Sequence, residues 1–195
     1  ALPIIGSSAV SWINTGDQND LAYDDKKSPD DSSHFNLCEA KCIASLVDSL
    51  LLHAATRKRL KEIRDQGDWP IGIICTYASQ VLEVEGQLRS ITTARYVQDL
   101  IRIGTVDSYQ GRENAIVIVS LVRSNPKRNI GYLTSLERSN AALSRAQERL
   151  ILVGDGSTWG HQSNLLYTFG RCWHYIERHH GTGDVSVVPS KNLPR

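Results

Sequence analysis

Apolar positions along this chain follow two rhythms, and their alternation predicts the architecture. Short apolar runs at 9–14 (A-V-S-W-I-N), 71–75 (I-G-I-I-C), around 101–106, at 115–122 (A-I-V-I-V-S-L-V) and at 150–153 read as strands. The run at 115–122 is almost unbroken, as in a parallel strand covered on both faces. Between the runs, Ala40, Ile43, Ala44, Val47, Leu50 and Leu51 recur at helical spacing. Asn36 precedes them as a cap, and Glu39, three residues on, is placed to reach back to it. Further helices are predicted over about 78–89, 136–147 and 165–176. Strand and helix alternate throughout, so the expected fold is α/β, a mainly parallel sheet with helices on both faces.

Two stretches carry no such rhythm. Residues 17–33 hold Asp20, Asp24, Asp25, Asp30 and Asp31 with Lys26, Lys27 and Pro29, and predict a mobile surface loop within 15–35. The segment from Gly181 is rich in turn formers, which predicts a domain over 1–180 and a loose tail over 181–195. At 195 residues and 41% apolar content, one domain with its own core is expected. The chain has no methionine and opens at Ala1, so a piece of a longer polypeptide is expected.

Net charge is only +1, which favours no class of partner, but its distribution is uneven. Arg123, Lys127, Arg128, Arg138, Arg145 and Arg149 face only Glu137 and Glu148 in that stretch, a surplus suited either to phosphates or to a solvated helix face. Cys38, Cys42, Cys75 and Cys172 are scattered and read as reduced thiols of an intracellular protein, cytoplasmic or nuclear. Cys38 and Cys42 lie four apart on a helix, yet no second close pair completes a zinc site, so no metal site is expected. No run approaches a membrane span, and membrane association is not expected.

The most informative segments are T-V-D-S-Y-Q-G-R-E (105–113) and G-Y-L-T-S-L-E-R-S-N-A-A-L-S-R-A (131–146), flanking the long apolar run. With I-G-I-I-C-T-Y-A-S-Q (71–80), V-R-S-N (122–125) and the strand-ending V-G-D (153–155), they resemble helicase motifs IV, V and VI. The resemblance is to superfamily 1 helicases related to the nonsense-mediated-decay helicase, senataxin and the immunoglobulin-switch-region helicase. It covers residues 9–155 and implies the second RecA-like domain, with a P-loop NTPase type of fold, of a two-domain ATP-dependent helicase core moving 5′ to 3′.

The resemblance implies roles for particular residues. Arg145 sits where the family places an arginine finger, whereas an ordinary helix arginine there would pair with Glu148. Gln110, Gly111 and Glu113 form the Q-G-x-E element near the nucleotide, with Arg112 beside them. Thr76, Tyr77, Thr105, Ser108, Ser124 and Asn125 are the implied nucleic-acid contacts, the hydroxyls and amide on phosphates and Tyr77 on a base. Each also suits a turn or a core edge. Two positions depart from the family: Cys75-Thr76-Tyr77 stands where many members have T-P-Y, and Val81 stands where some carry an arginine.

The chain has no G-x-x-x-x-G-K-[ST] and no acidic pair after a buried strand. ATP and magnesium are therefore expected to be held mainly by an upstream RecA-like domain, the partner of this one, with single-stranded RNA or DNA as substrate. This half alone should not hydrolyse ATP. The alternative is a degenerate helicase-like scaffold that binds nucleic acid or protein without turnover.

Overall fold

The computed structural model describes residues 5–18, 23–26, 32–109 and 111–194. The chain enters through β1 (Val10–Asn14), then the two-residue strands β2 (Asp25–Lys26) and β3 (His34–Phe35), which pair antiparallel. Helices α1 (Leu37–Leu52) and α2 (Ala54–Asp65) lead to β4 (Ile71–Cys75), α3 (Ala78–Leu88), the short α4 (Val97–Leu100) and β5 (Ile101–Thr105). A 3-10 turn at Asp107–Tyr109 precedes β6 (Asn114–Ser120); another at Gly131–Thr134 precedes α5 (Leu136–Leu143). The chain closes with β7 (Ala146–Gly154), α6 (Gly156–Trp159), α7 (Thr168–Arg178) and β8 (Val185–Pro189).

Six strands form one sheet in the order β5-β4-β6-β7-β1-β8, and every pairing is parallel. Alternate residues of each strand face opposite sides, and the sequence supplies apolar groups to both. Ile13, Ile71, Ile73, Ile116, Ile118, Ile151 and Val153 meet α1, α2 and α3 in one core. Trp12, Ile74, Val117, Val119, Leu152 and Trp159 join α5 and α7 in the other. Gly72 in β4 is required by a close approach: a Cβ there would collide with the Tyr109 hydroxyl and Asn114. Its absence lets the segment after β5 lie flat across the sheet.

The structure corrects several expectations. A helix that the periodicity did not predict follows α1, because His53 ends α1 and its Nδ1 caps a second one, α2. Helix α5 stops at Leu143, so Arg145 lies on a turn and Ala146 already belongs to β7. The tail is not loose: β8 pairs with β1 from Val10↔Val185 to Asn14↔Pro189. Nor does the acidic loop float free where it is described, for Asp24 is 4% exposed at its side chain and bonded into the fold. Asp20, Lys27, Pro29, Asp30 and Asp31 lie outside the described residues. Glu39 does not reach back to its cap; the Asn36 N–H is taken by Gln80 Oε1 at 2.7 Å, and the Glu39 carboxyl points into the fold.

Candidate nucleotide and nucleic-acid site

Because all six strands run the same way, the predicted residues divide between the two ends of the sheet. At the N-terminal ends of β6 and β7, the Asn114 N–H donates to the Arg145 carbonyl at 3.0 Å. This bond fastens the glycine-containing loop to the turn after α5. Glu113 and Arg145 precede register partners, Asn114 and Ala146, so their backbones lie about 5 Å apart. The two opposite charges nevertheless do not pair. Glu113 accepts from Gln147 Nε2 at 3.3 Å, while Arg145 donates through Nε to the Ala141 carbonyl at 3.0 Å and through Nη2 to Ser144 Oγ at 2.9 Å.

A guanidinium has five N–H donors, and the Nη1 end of Arg145 has no acceptor among the described residues. Its sequence neighbour Glu148 is engaged elsewhere, 2.6 Å from Arg59. Gly111, at φ +76°, takes a left-handed conformation at an exposed turn that only glycine adopts freely. Arg112 is exposed beside it, and Gln110 lies outside the described residues. The edge thus offers one partly sheltered cation with spare donors and one carboxylate, a donor set that fits the outer side of a nucleoside triphosphate. Among the described residues, this edge has no loop that could wrap the phosphates.

The C-terminal ends of the strands gather the other set. Along β6 the two edges are about 20 Å apart, from seven residues at roughly 3.3 Å each. Ser108 is exposed and donates its hydroxyl to the Thr105 carbonyl at 2.9 Å, while its N–H reaches Thr105 Oγ1 at 3.3 Å. Asn125 braces its own loop, Nδ2 on the Asn129 carbonyl at 2.8 Å and Oδ1 accepting from the Asn129 N–H at 3.0 Å.

Three of the predicted contacts are buried, at odds with direct contact. Thr76 is 3% exposed and its hydroxyl donates to the Leu121 carbonyl at 3.1 Å. Ser124 is fully buried, its hydroxyl on Asp155 Oδ2 at 2.7 Å. Tyr77 is wedged edge-on between His34 and Tyr132, with ring centroids at 5.2 and 4.7 Å, so its face cannot receive a base. Burial pushes its hydroxyl pKa up, with Arg123 beside it pulling the other way. The half-exposed aromatic here is instead Tyr132, with the Arg138 guanidinium 4.8 Å above its ring.

Most of the basic surplus is engaged within the domain, though only Arg123 is buried. Arg123 lies 3.6 Å from Asp24 and 2.6 Å from His34 Nε2, and Arg128 lies 3.7 Å from Asp155. Arg138 lies 3.5 Å from Asp107, and Arg149 donates to the Ser7 carbonyl. Lys127, at the loop tip, is exposed. Asp155 itself is held below the ordinary carboxylate range: burial acts to raise it, but hydrogen bonds from Ser157, Thr158 and Ser124 outweigh that.

Beneath this edge lies a polar network that the sequence did not reveal. Strand β6 is followed by a γ-turn in which the Arg123 N–H meets the Leu121 carbonyl at 2.7 Å, with Val122 at φ +66°. A β-branched residue in that region is strained by roughly 1–3 kcal/mol. Both polar groups of Val122 are gripped: its N–H donates to Glu39 Oε2 at 2.9 Å, and its carbonyl accepts from Asn36 Nδ2 at 2.9 Å. Ser120 Oγ also donates to Glu39 Oε2 at 2.6 Å, while Gln80 Nε2 bonds Ser120 Oγ at 3.0 Å. Burial raises the Glu39 pKa to about 8, against the pull of the bonds from Ser120 and Val122.

With this geometry in place, comparison with known proteins decides the family. Residues 4–157 match the family described as an AAA domain. The chain is 32% identical over 126 residues to the helicase sen1 of Schizosaccharomyces pombe, covering 65% of this chain and 7% of that protein. It is 31% identical over 152 residues to an uncharacterised ATP-dependent helicase of Methanocaldococcus jannaschii, covering 78% and 19%. With the regulator of nonsense transcripts 1 homolog of Drosophila melanogaster it shares 39% identity over 107 residues, covering 49% and 9%.

The chain belongs to the superfamily 1 helicases, as a second RecA-like domain. It spans less than a fifth of the length of each of these relatives. The sequence assigned no site role to Asp24, His34, Asn36, Glu39, Gln80 or Asp155, and placed Arg123 only in the basic surplus and the V-R-S-N segment. The N-x-x-E spacing of Asn36 and Glu39 was a signal, but it read as a helix cap; Gln80, Arg123 and Asp155 stood in motif segments with nothing to show what they bond.

Proposed function

We propose that this domain is the second motor half of an ATP-dependent helicase or translocase acting on single-stranded RNA or DNA, partnered by the first RecA-like domain of the same polypeptide. The observation that carries this reading is the division of polar groups between the two ends of one sheet. At one end stands Arg145, with uncommitted donors, beside Glu113; at the other stand Thr105, Ser108, Asn125 and Lys127. Phosphoryl transfer needs positive charge aimed at the γ-phosphate, and an arginine presented from a second domain supplies it. ATP with magnesium, when bound, supplies the phosphoryl group. On this side Arg145 would meet the γ-phosphate, with Gln110, Gly111, Arg112 and Glu113 lining the nucleotide. The hydroxyls and amide of the opposite edge suit backbone phosphates rather than bases. Thr76, Tyr77 and Ser124 would support that edge from below.

The experiment is Arg145→Ala in the full-length protein. Strand-stimulated ATP turnover is expected to fall by about 10³-fold or more, the scale of arginine fingers. Melting temperature and nucleotide-free strand affinity should stay near wild type, since the substitution removes no core contact. Turnover within a few-fold of wild type in a folded variant would refute the assignment.

A further inference from the structure

We propose that Glu39 is the positioning residue of the strand-binding edge: with Asn36 it grips both polar groups of Val122 and so fixes the direction in which residues 123–129 leave the sheet. This rests on the reading that this edge carries the nucleic acid. A valine does not take φ +66° unless something imposes it. The imposing groups are the Glu39 carboxyl on the Val122 N–H, the Asn36 amide on its carbonyl, and the Thr76 hydroxyl on the carbonyl before it.

A simple capping role for Glu39 does not account for its place. The cap needs only the bond from the Glu39 N–H to Asn36 Oδ1, at 3.0 Å, and the side chain is turned away from it. Nor does packing account for it, because the side chain is fully buried and its Oε1 has no hydrogen-bond partner among the described residues. A half-satisfied buried carboxyl stabilises a fold less than an apolar group of the same volume would. What it does accomplish is geometric. Past the turn, the Ser124 N–H reaches Asp24 Oδ1 at 2.7 Å and its hydroxyl reaches Asp155, and the loop then emerges with Asn125 and Lys127 at the surface.

The test uses the full-length protein and a labelled single-stranded oligonucleotide without nucleotide, read by fluorescence anisotropy. Glu39→Ala is expected to weaken affinity about tenfold, because the bound loop geometry must then bear the strain of Val122 unaided. Glu39→Gln should stay close to wild type, since an amide oxygen can accept both bonds. Val122→Gly added to Glu39→Ala should recover most of the lost affinity, because glycine takes positive φ without strain. A residue that merely stabilised the fold would behave otherwise: the added glycine would lower the melting temperature further and recover nothing. Asn36→Ser releases the other side of the grip while keeping the helix cap. It keeps the test open if Glu39→Ala does not fold, and it should weaken binding and be recovered by the same glycine. Wild-type affinity in the folded single variants, or no recovery by glycine, overturns the proposal. If Lys127→Ala and Asn125→Ala also leave affinity unchanged, the strand does not use this loop and the reading of the edge falls with it. If those two weaken binding and the Glu39 and Asn36 variants do not, only the positioning role is wrong.

Discussion

Replacing Glu39 by glutamine should change how the domain's stability depends on pH, and the sign is fixed by where the carboxyl sits. In the folded state its pKa is raised to about 8 from an ordinary value of 4.5, first by complete burial. Between those two values the folded chain holds a proton that the unfolded chain has released. Stability from this group is therefore fully present below about pH 4.5 and is lost as pH rises through about 8. The loss runs at up to about 1.4 kcal/mol per pH unit, so between pH 5 and pH 8 it approaches 4 kcal/mol at most, and about 2–3 kcal/mol once the site relaxes around the charge. Glutamine never ionises, so the variant should match the wild type near pH 5 and exceed it near pH 8. For a domain of this size the difference amounts to roughly 5–10 °C in melting temperature. Thermal unfolding of both proteins at each pH unit from 5 to 8 measures it directly, and the other titrating groups cancel in the difference. Curves that ran parallel would refute the burial argument. A glutamine variant that grew less stable toward pH 8 would mean that the carboxylate is ionised and satisfied by a group not identified above.

Three further outcomes are expected. Gly72→Ala should destabilise by about 1–3 kcal/mol, because a Cβ forces Tyr109 and Asn114 off the sheet; urea unfolding checks it. Asp155→Asn should lower stability at pH 7, with the deficit shrinking as pH falls below the carboxyl's ordinary value of 3.8, where the unfolded wild type takes up a proton before the folded one; unfolding at pH 3 and pH 7 tests the sign. Lys127→Ala in the full-length protein should weaken strand binding at low salt and reduce the slope of log affinity against log salt by about 1, with no change in base preference; an unchanged slope would remove this lysine from the interface.

Much of the architecture was legible because it rests on local patterns. The run that becomes β6 and the helical spacing behind Asn36 depend on which residues are apolar, and nothing elsewhere overrides them. Strand β8 was not legible: V-S-V-V-P is short, sits among turn formers, and becomes a strand only by pairing with β1 at the far end of the chain. Helix α2 is mostly polar and starts on an unusual cap, His53, so periodicity passed over it. Arg145 was found through its motif, but that it has no carboxylate partner among the described residues goes with Glu148 being occupied by Arg59, 89 residues before it in the chain. The burial of Thr76 and Ser124 was hidden for the same reason, since their hydroxyls are claimed by a carbonyl and a carboxylate just past the ends of β6 and β7.

The position of β8 separates two units that are easily equated. The family match ends at residue 157, yet β1, which lies inside it, is hydrogen-bonded on both sides only because residues 185–189 return to cover its far edge. Trp12 packs edge-on against Trp173, ring centroids 5.1 Å apart, and Trp159 against Phe169 at 5.6 Å. A polypeptide ended at the family boundary would keep every motif, leave Trp12 without Trp173, and lose Trp159 and Phe169 altogether. It would also expose the backbone of β1 as a bare template for another chain. A domain trimmed to its recognisable sequence is therefore expected to aggregate although it carries every motif.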